Sequence, residues 1–279
     1  MKAPTIGADP ELFICDANDK IIPICGLLGG TKGAPIDIGG GIGLQEDNVM
    51  AEFNIPACTG PAEFHSYIES GVARVLAHVQ KAVPGARIAT RGEWLFRHDE
   101  LTHPQAMMFG CQPDFNAYTK GTMWPPLNPA TLNKGDGAMR FAGGHVHLGY
   151  KRNDEIPDFV AAAFGDMFIG LGFVEYDRQP ERRSLYGQPG RYRPTAYGIE
   201  YRTLSNFWVT RHHEYAEDVG NAAIDLCTFL GSVDMDVLRS IYREAPWRDV
   251  REAILKEDAG LAARLLNHFR HDPYLTGYL

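Results

Sequence analysis

The sequence predicts an α+β fold in a single domain spanning 1–279, with a sheet-containing core over 1–210 and a helical region over 211–279. Three observations predict it. With 279 residues, 44% of them hydrophobic, the chain is long for one ordinary domain yet able to bury one large core. Its first half alternates short strand-like runs with glycine turns. From about residue 212 the pattern is helical to the end, and no linker sets that region apart.

The elements follow in chain order. "TIGADPELFICD" and "KIIPIC", split by Ala17-Asn18-Asp19, open a sheet, and "LQEDNVMAEFNIP" reads as a further strand. "GPAEFHSYIESGVARVLAHVQKAV" is an amphipathic helix. Pro61 suits its first turn, and Phe64, Ile68, Val72, Val75, Leu76 and Val79 fall at helical spacing. "ARIATRGEWLF" returns to strand. Residues 97–140 lack a period and are rich in Pro, Gly, Asn and aromatics; Phe115, Tyr118 and Trp124 argue for an ordered binding loop or lid. Within it, Cys111 reads as structural. "FAGGHVHLGY" is a short buried strand that carries His145 and His147. A helix around 155–173, an arginine-rich loop and the strand "AYGIEYRTLSNFW" follow. "EYAEDVGNAAIDLCTFL", "DMDVLRSIYREA", "PWRDVREAIL" and "DAGLAARLLNHFR" form the C-terminal helices.

A net charge of −8 argues against a broad nucleic-acid footprint while leaving room for a local basic pocket. Five scattered cysteines with no CxxC pair predict a reduced protein. "MKAPTIGADPELF" places acids where a signal peptide needs an apolar run, and no run of about 18 apolar residues predicts a membrane span. A cytoplasmic protein is expected.

Alternate residues of a strand share a face. That rule groups Asp9, Glu11 and Phe13, with Pro10 between them; Glu46, Asn48, Met50 and Glu52, with Asp47 pointing away unless a bulge intervenes; His145 and His147; and Glu200 and Arg202. Half-buried strands do not place carboxylates toward a core, because an unpaired buried charge costs several kcal/mol. The economical reading is that these faces converge around hard divalent cations, Mg²⁺ or Mn²⁺ rather than zinc. Beside them, Arg178, Arg182, Arg183, Arg191, Arg193 and Arg202 put six guanidinium groups within 25 residues, a pattern suited to phosphate. Metal-binding acids next to phosphate-binding arginines point to phosphoryl transfer. Lys32, in a glycine turn, is a further phosphate or substrate contact. "GLLGGTKG" fails as a P-loop, since Thr31 and Gly33 stand where Gly and Ser or Thr are required.

"GADPELFI", "GGTKGAP", "QEDNVMAEFNIP", "GCQPDFNAY", "AGGHVHLGY", "RRSLYGQPGRYRP" and "YGIEYRTLSNFW" occur in order between about residues 5 and 210. Together they resemble the phage-type carboxylate–amine ligase (amidoligase) family, itself similar to the glutamine synthetase and glutamate–cysteine ligase superfamily. The resemblance implies a twisted antiparallel sheet that cups the active site, with helices on its outer face. It also implies ATP, two or three Mg²⁺ ions and an acyl phosphate that an amine converts to an amide. It makes Asp9, Glu11, Glu52, Glu200 and one of His145 and His147 metal ligands, with Glu46 or its neighbour Asp47 as a partner. It gives Arg202 to the transferring phosphate, and Arg183, Arg191 and Arg193 to nucleotide phosphates or a substrate carboxylate. Asp114 is a candidate acceptor of the amine's proton or a contact for ammonium. The substrates would be a small-molecule or peptide carboxylate and an amine. Two other classes compete: a metal-dependent hydrolase built on the histidine and carboxylate cluster, and a non-catalytic binder of a phosphorylated or acidic ligand.

Overall fold

The computed structural model describes residues 3–109, 114–123, 128–150, 156–211 and 213–279; Cys111 and Trp124 lie outside them. The strands of the first part are β1 (Thr5–Ala8), β2 (Glu11–Leu12), β3 (Ile14–Cys15), β4 (Ile21–Ile22), β5 (Ile36–Asp37), β6 (Gly43–Asp47), β7 (Met50–Asn54), β8 (Arg87–Ile88) and β9 (Glu93–Arg97). Those of the second are β10 (Phe115–Asn116), β11 (Thr122–Met123), β12 (Asn133–Lys134), β13 (Gly137–Phe141), β14 (Val146–Gly149), β15 (Arg191–Pro194) and β16 (Gly198–Tyr201). The helices are α1 (Pro61–Ala82), α2 (Asp158–Gly165), α3 (Pro180–Leu185), α4 (Phe207–Thr210), α5 (Ala216–Ser232), α6 (Met235–Glu244), α7 (Trp247–Leu255) and α8 (Ala259–Arg270). The fold is therefore mixed α and β, with antiparallel sheets and a helical C-terminal region.

Among the described residues the strands form four sheets: β1-β14-β16-β15-β10-β11, β2-β7-β6-β5, β12-β13-β9 and β4-β3-β8. One extended segment, Thr5 to Cys15, threads three of them. Pro10 has no N–H to offer a ladder, so pairing breaks between β1 and β2 and the chain passes from one sheet to the next. Backbone bonds from Glu11 N to Gly143 O (2.9 Å) and from Ile55 N to Ala8 O (3.2 Å) tie the sheets across that break.

The six-stranded sheet has two unlike faces. Ile6, Ala8, Val146, Leu148, Ile199 and Tyr201 project from one and are buried, where α5 packs on β1 and β14 and α2 packs on β15 and β16. Helix α1 buries Phe64, Ile68, Gly71, Val75 and Val79 against α5 and β7. Val72 and Leu76, expected on the same stripe, are only half-buried. Gly71 is needed because a Cβ there would overlap the Phe53 ring. The other face of the sheet carries the polar side chains described below.

Three expected elements differ. "LQEDNVMAEFNIP" is not one strand but the hairpin β6–β7, turned at Asn48 (φ 54°) and Val49. "ARIATRGEWLF" divides into β8 and β9, which belong to different sheets. The strand expected through "SNFW" stops at Tyr201, and Phe207–Thr210 is helical. Of residues 97–140, those described form short 3₁₀ turns and paired strands, with Phe115 stacked on Tyr192 at 5.7 Å. The helix expected at 155–173 begins as α2 and continues through a π turn, Asp166–Gly170, whose Asp166 accepts hydrogen bonds from the hydroxyls of Tyr118 and Tyr201, each 2.7 Å. Burial pushes that carboxyl up to about 6. No helix among the described residues is long and apolar enough to cross a membrane.

Candidate functional site

Strand register builds the site. Gly7 pairs with His147, His147 with Glu200, and Glu200 with Arg193, so His147, Glu200 and Arg193 project from the polar face of the six-stranded sheet. Two residues further along their strands, Asp9, His145, Arg202 and Arg191 continue that face. In the adjoining sheet Glu11 pairs with Glu52, Gln45 with Glu52 and Asp47 with Met50. The two polar faces meet in one cavity lined by Asp9, Glu11, Lys32, Asp47, Glu52, His145, Arg193, Glu200 and Arg202, closed on one side by Tyr186.

Two sets of potential metal ligands stand in this region. Asp9, His147 and Glu200 bring one ligand atom each to within 4.8 Å of one another, and so do Glu11, Asp47 and Glu52. His145 adjoins the first set, with Nδ1 at 3.5 Å from Asp9 and 3.3 Å from Glu200. His147 Nε2 is 3.1 Å from Asp9 Oδ1, and its Nδ1 is 2.9 Å from the Tyr197 hydroxyl. Asp9 Oδ1, Glu200 Oε1 and His147 Nε2 are buried and within ion-pair range of neighbours, yet none makes a well-formed hydrogen bond. Basic groups meet Glu200 from the other side: Arg193 Nη1 donates at 2.9 Å and Arg202 Nη1 lies at 3.5 Å. Arg202 also donates to the Tyr186 hydroxyl at 2.6 Å.

The electrostatics separate the two sets. Burial pushes the Glu11 carboxyl up to about 8, with the charge of Asp47 adding to it. Burial, then the charges of Asp9, Asp47 and Glu11, drives Glu52 well above its ordinary value, and burial raises Asp47. Asp9 goes the other way: burial would raise it, but the charge of His147 and the close approach of both imidazoles hold it well below the usual carboxylate range. Burial and the Arg202 charge lower His145, whereas for His147 burial is outweighed only by Asp9 and Glu200 together, and the net direction is upward. Five carboxylates in one largely buried cavity, faced by three basic side chains, are a donor set short of positive charge. The unbonded Asp9, Glu200 and His147 atoms are the right chemistry for hard cations.

Gly143 explains part of "AGGHVHLGY". Its N–H donates to Glu11 Oε2 at 2.6 Å, its carbonyl accepts from Glu11 N, and a Cβ there would overlap the His145 imidazole. Gly143→Ala is therefore expected to displace both His145 and Glu11. The melting temperature should fall by several degrees, roughly 1–3 kcal/mol for an overpacked buried site. A variant that melts like the unaltered protein would show that this contact is soft.

Four expectations are corrected. Glu46 does not face the cavity. Its carboxylate accepts from the backbone of Gly26, Leu28 and Gly29 at 2.7–2.9 Å, and Asp47 stands among the acids instead. The reason is parity: a two-residue turn at Asn48-Val49 reverses the chain, so Asp47, not Glu46, shares a face with Glu52. Arg183 is buried away from the cavity, where it donates to Asp177 Oδ2 (2.7 Å), Gly187 O and Thr203 O (2.9 Å each). Arg191 shares the polar face, but its guanidinium pairs with Asp114, and neither lines the cavity. Asp114 is thus held by an arginine rather than offered to an amine. Arg182, fully buried, donates to the carbonyls of Thr203 and Leu204 at 2.7 Å each. No pattern in the chain singles out Tyr186 or Tyr197. Asn48 was the cue to Asp47: asparagine is the common non-glycine residue in the left-handed conformation of hairpin turns.

The chain matches no protein-family model and none of the curated proteins with which it was compared.

Proposed function

We propose that the chain is an ATP-dependent carboxylate–amine ligase that forms an amide or peptide-like bond through an acyl phosphate. On this reading the four sheets are parts of one twisted, glutamine synthetase-like cup with helices on its outer side. One observation carries it: five acids drawn from two candidate metal-binding groups, the first completed by His147, line one cavity with Arg193, Arg202 and Lys32. Asp9, His147 and Glu200 would hold one Mg²⁺ (or Mn²⁺), and Glu11, Asp47 and Glu52 another. The cations supply charge neutralisation for a transferring phosphoryl group. Arg202, held beside Tyr186 and Glu200 on the cavity wall, would meet a phosphate oxygen there, and Arg193 flanks the same carboxylate. A metal-dependent hydrolase would have no use for these arginines so close to the acids.

The test is release of ADP from ATP with candidate carboxylates and amines, Mg²⁺ against Zn²⁺, followed by mass spectrometry of the product. Magnesium-dependent ADP release that requires both substrates supports the ligase. Hydrolysis supported by Zn²⁺ without ATP would replace it.

Metal affinity carries its own pH signature. Without metal, folded Glu11 keeps its proton up to about 8, against an ordinary 4.5. A cation must displace that proton, so Mg²⁺ affinity is expected to rise with pH across this window, by up to about tenfold per unit for each proton displaced. Calorimetry in buffers of different ionisation enthalpy reads the protons released. An affinity that is flat over the window removes Glu11 and Glu52 from the ligands.

A further inference from the structure

Behind the carboxylates lies a second compartment, about 410 Å³ with its open mouth included. Met50, Phe109, Leu132, Met139 and Phe141 make its apolar walls. Glu11, Asp47 and Tyr186 belong to both compartments, so the two adjoin across these side chains. Beside it the chain exposes Met107 and Met108, 59% and 61% accessible, and Asn48 Nδ2 holds this lip by donating to Met108 O at 2.8 Å. Unbranched methionines accommodate varied apolar groups.

The polar inventory of this compartment is one-sided. Arg140 donates to Asn48 Oδ1 (2.8 Å), Met139 O and Ala106 O (2.9 Å each), and its guanidinium lies against the Phe109 ring at 5.1 Å. Asn48 donates its amide to Ala106 O and Met108 O. The Tyr186 hydroxyl accepts from Arg202. Arg140 keeps its charge, but its guanidinium is turned onto Asn48, Met139 O and Ala106 O, and the groups left facing a ligand are two acids, Glu11 and Asp47, with the Tyr186 hydroxyl beside them. Lys32, Arg193 and Arg202, the groups that suit phosphates or a substrate carboxylate, line the other compartment. The geometry points to the second compartment as the seat of the amine substrate, a primary amine carried on an apolar side chain. The ammonium or amine nitrogen meets Glu11 and Asp47, and the apolar body fills the space between Met139, Phe141 and Phe109. The inference rests on the ligase reading for what happens next, but binding can be tested apart from turnover.

Three probes divide the possibilities: leucinamide (amine and apolar side chain), glycinamide (amine alone) and N-acetylleucine (apolar side chain with a carboxylate). Binding to the metal-free chain is read by thermal shift and calorimetry. Leucinamide is expected to bind roughly tenfold or more tightly than glycinamide, the gain from burying a branched aliphatic side chain, and N-acetylleucine more weakly than either. Phe109→Glu removes the leucinamide preference while Phe109→Leu keeps it. Equal affinity for leucinamide and glycinamide, or tighter binding of N-acetylleucine, overturns the inference. ADP release with Mg²⁺-ATP and a carboxylate partner is then compared across the amines. Release with ammonia or glycinamide but not leucinamide overturns the inference and leaves the ligase reading standing. Selective leucinamide binding with no ADP release under any condition sinks the ligase reading and keeps the compartment as an apolar-amine site.

Discussion

Glu52→Gln is expected to reduce magnesium-dependent ADP release by roughly a thousandfold or more and, in the same protein, to raise the melting temperature of the metal-free form at neutral pH. The two effects have one cause. Glu52 sits among Glu11, Asp47 and Asp9, and burial together with their charges pushes its carboxyl well above 4.5. The folded chain therefore holds a proton that the unfolded chain has released. Such a group contributes stability fully below about 4.5 and loses it as pH rises through the elevated folded value. Glutamine has no charge to impose, so the metal-free variant keeps that stability at neutral pH. Glutamine also cannot neutralise a divalent cation, so the second metal set is lost. Thermal melts over a pH series, with and without Mg²⁺, check both halves. Magnesium should stabilise the unaltered protein and leave the variant nearly unmoved. A variant that keeps near-normal turnover would remove Glu52 from the metal set, and one that melts lower than its parent at neutral pH would show that Glu52 stabilises the cavity.

This stability cost is also why the site could be anticipated in outline. Alternation places residues of one strand on a common face, and acids repeated on such a face signal a ligand rather than a core. That rule points to Asp9, Glu11, Glu52, His145, His147, Glu200 and Arg202, and the structure brings them together. The rule fails where the chain turns. It cannot see that Asn48-Val49 closes a hairpin, and one missed turn exchanged Glu46 for Asp47. It is also silent on long-range packing. Tyr186 follows α3, and only the tertiary fold brings its hydroxyl to Arg202. The helices were legible throughout the C-terminal region because their apolar spacing is local. The division of the strands among four sheets was not, because it depends on which distant edges pair.

The arginine run shows the same limit and yields the sharpest contrast. Arg183 and Arg202 look equivalent in sequence, but they face opposite ways. Arg183 is buried against Asp177, and Asp177 in turn accepts from the Ser205 backbone N–H at 3.1 Å, so the pair fastens α3 to the segment that follows Glu200. Arg202 meets Glu200 and Tyr186 on the cavity wall. Arg183→Ala leaves a buried carboxylate without its guanidinium and is expected to cost about 3–5 kcal/mol, read by urea unfolding, while chain that remains folded keeps metal binding. Arg202→Lys should do the reverse. Lysine keeps the charge but not the fork that reaches a phosphate oxygen while holding Tyr186, so turnover falls roughly a hundredfold with little change in the unfolding midpoint. If instead Arg183→Ala unfolds like its parent yet loses turnover, Arg183 belongs to the reacting groups. If Arg202→Lys keeps full turnover, Arg202 is a structural tie and the phosphate must find its charge at Arg193 and Lys32.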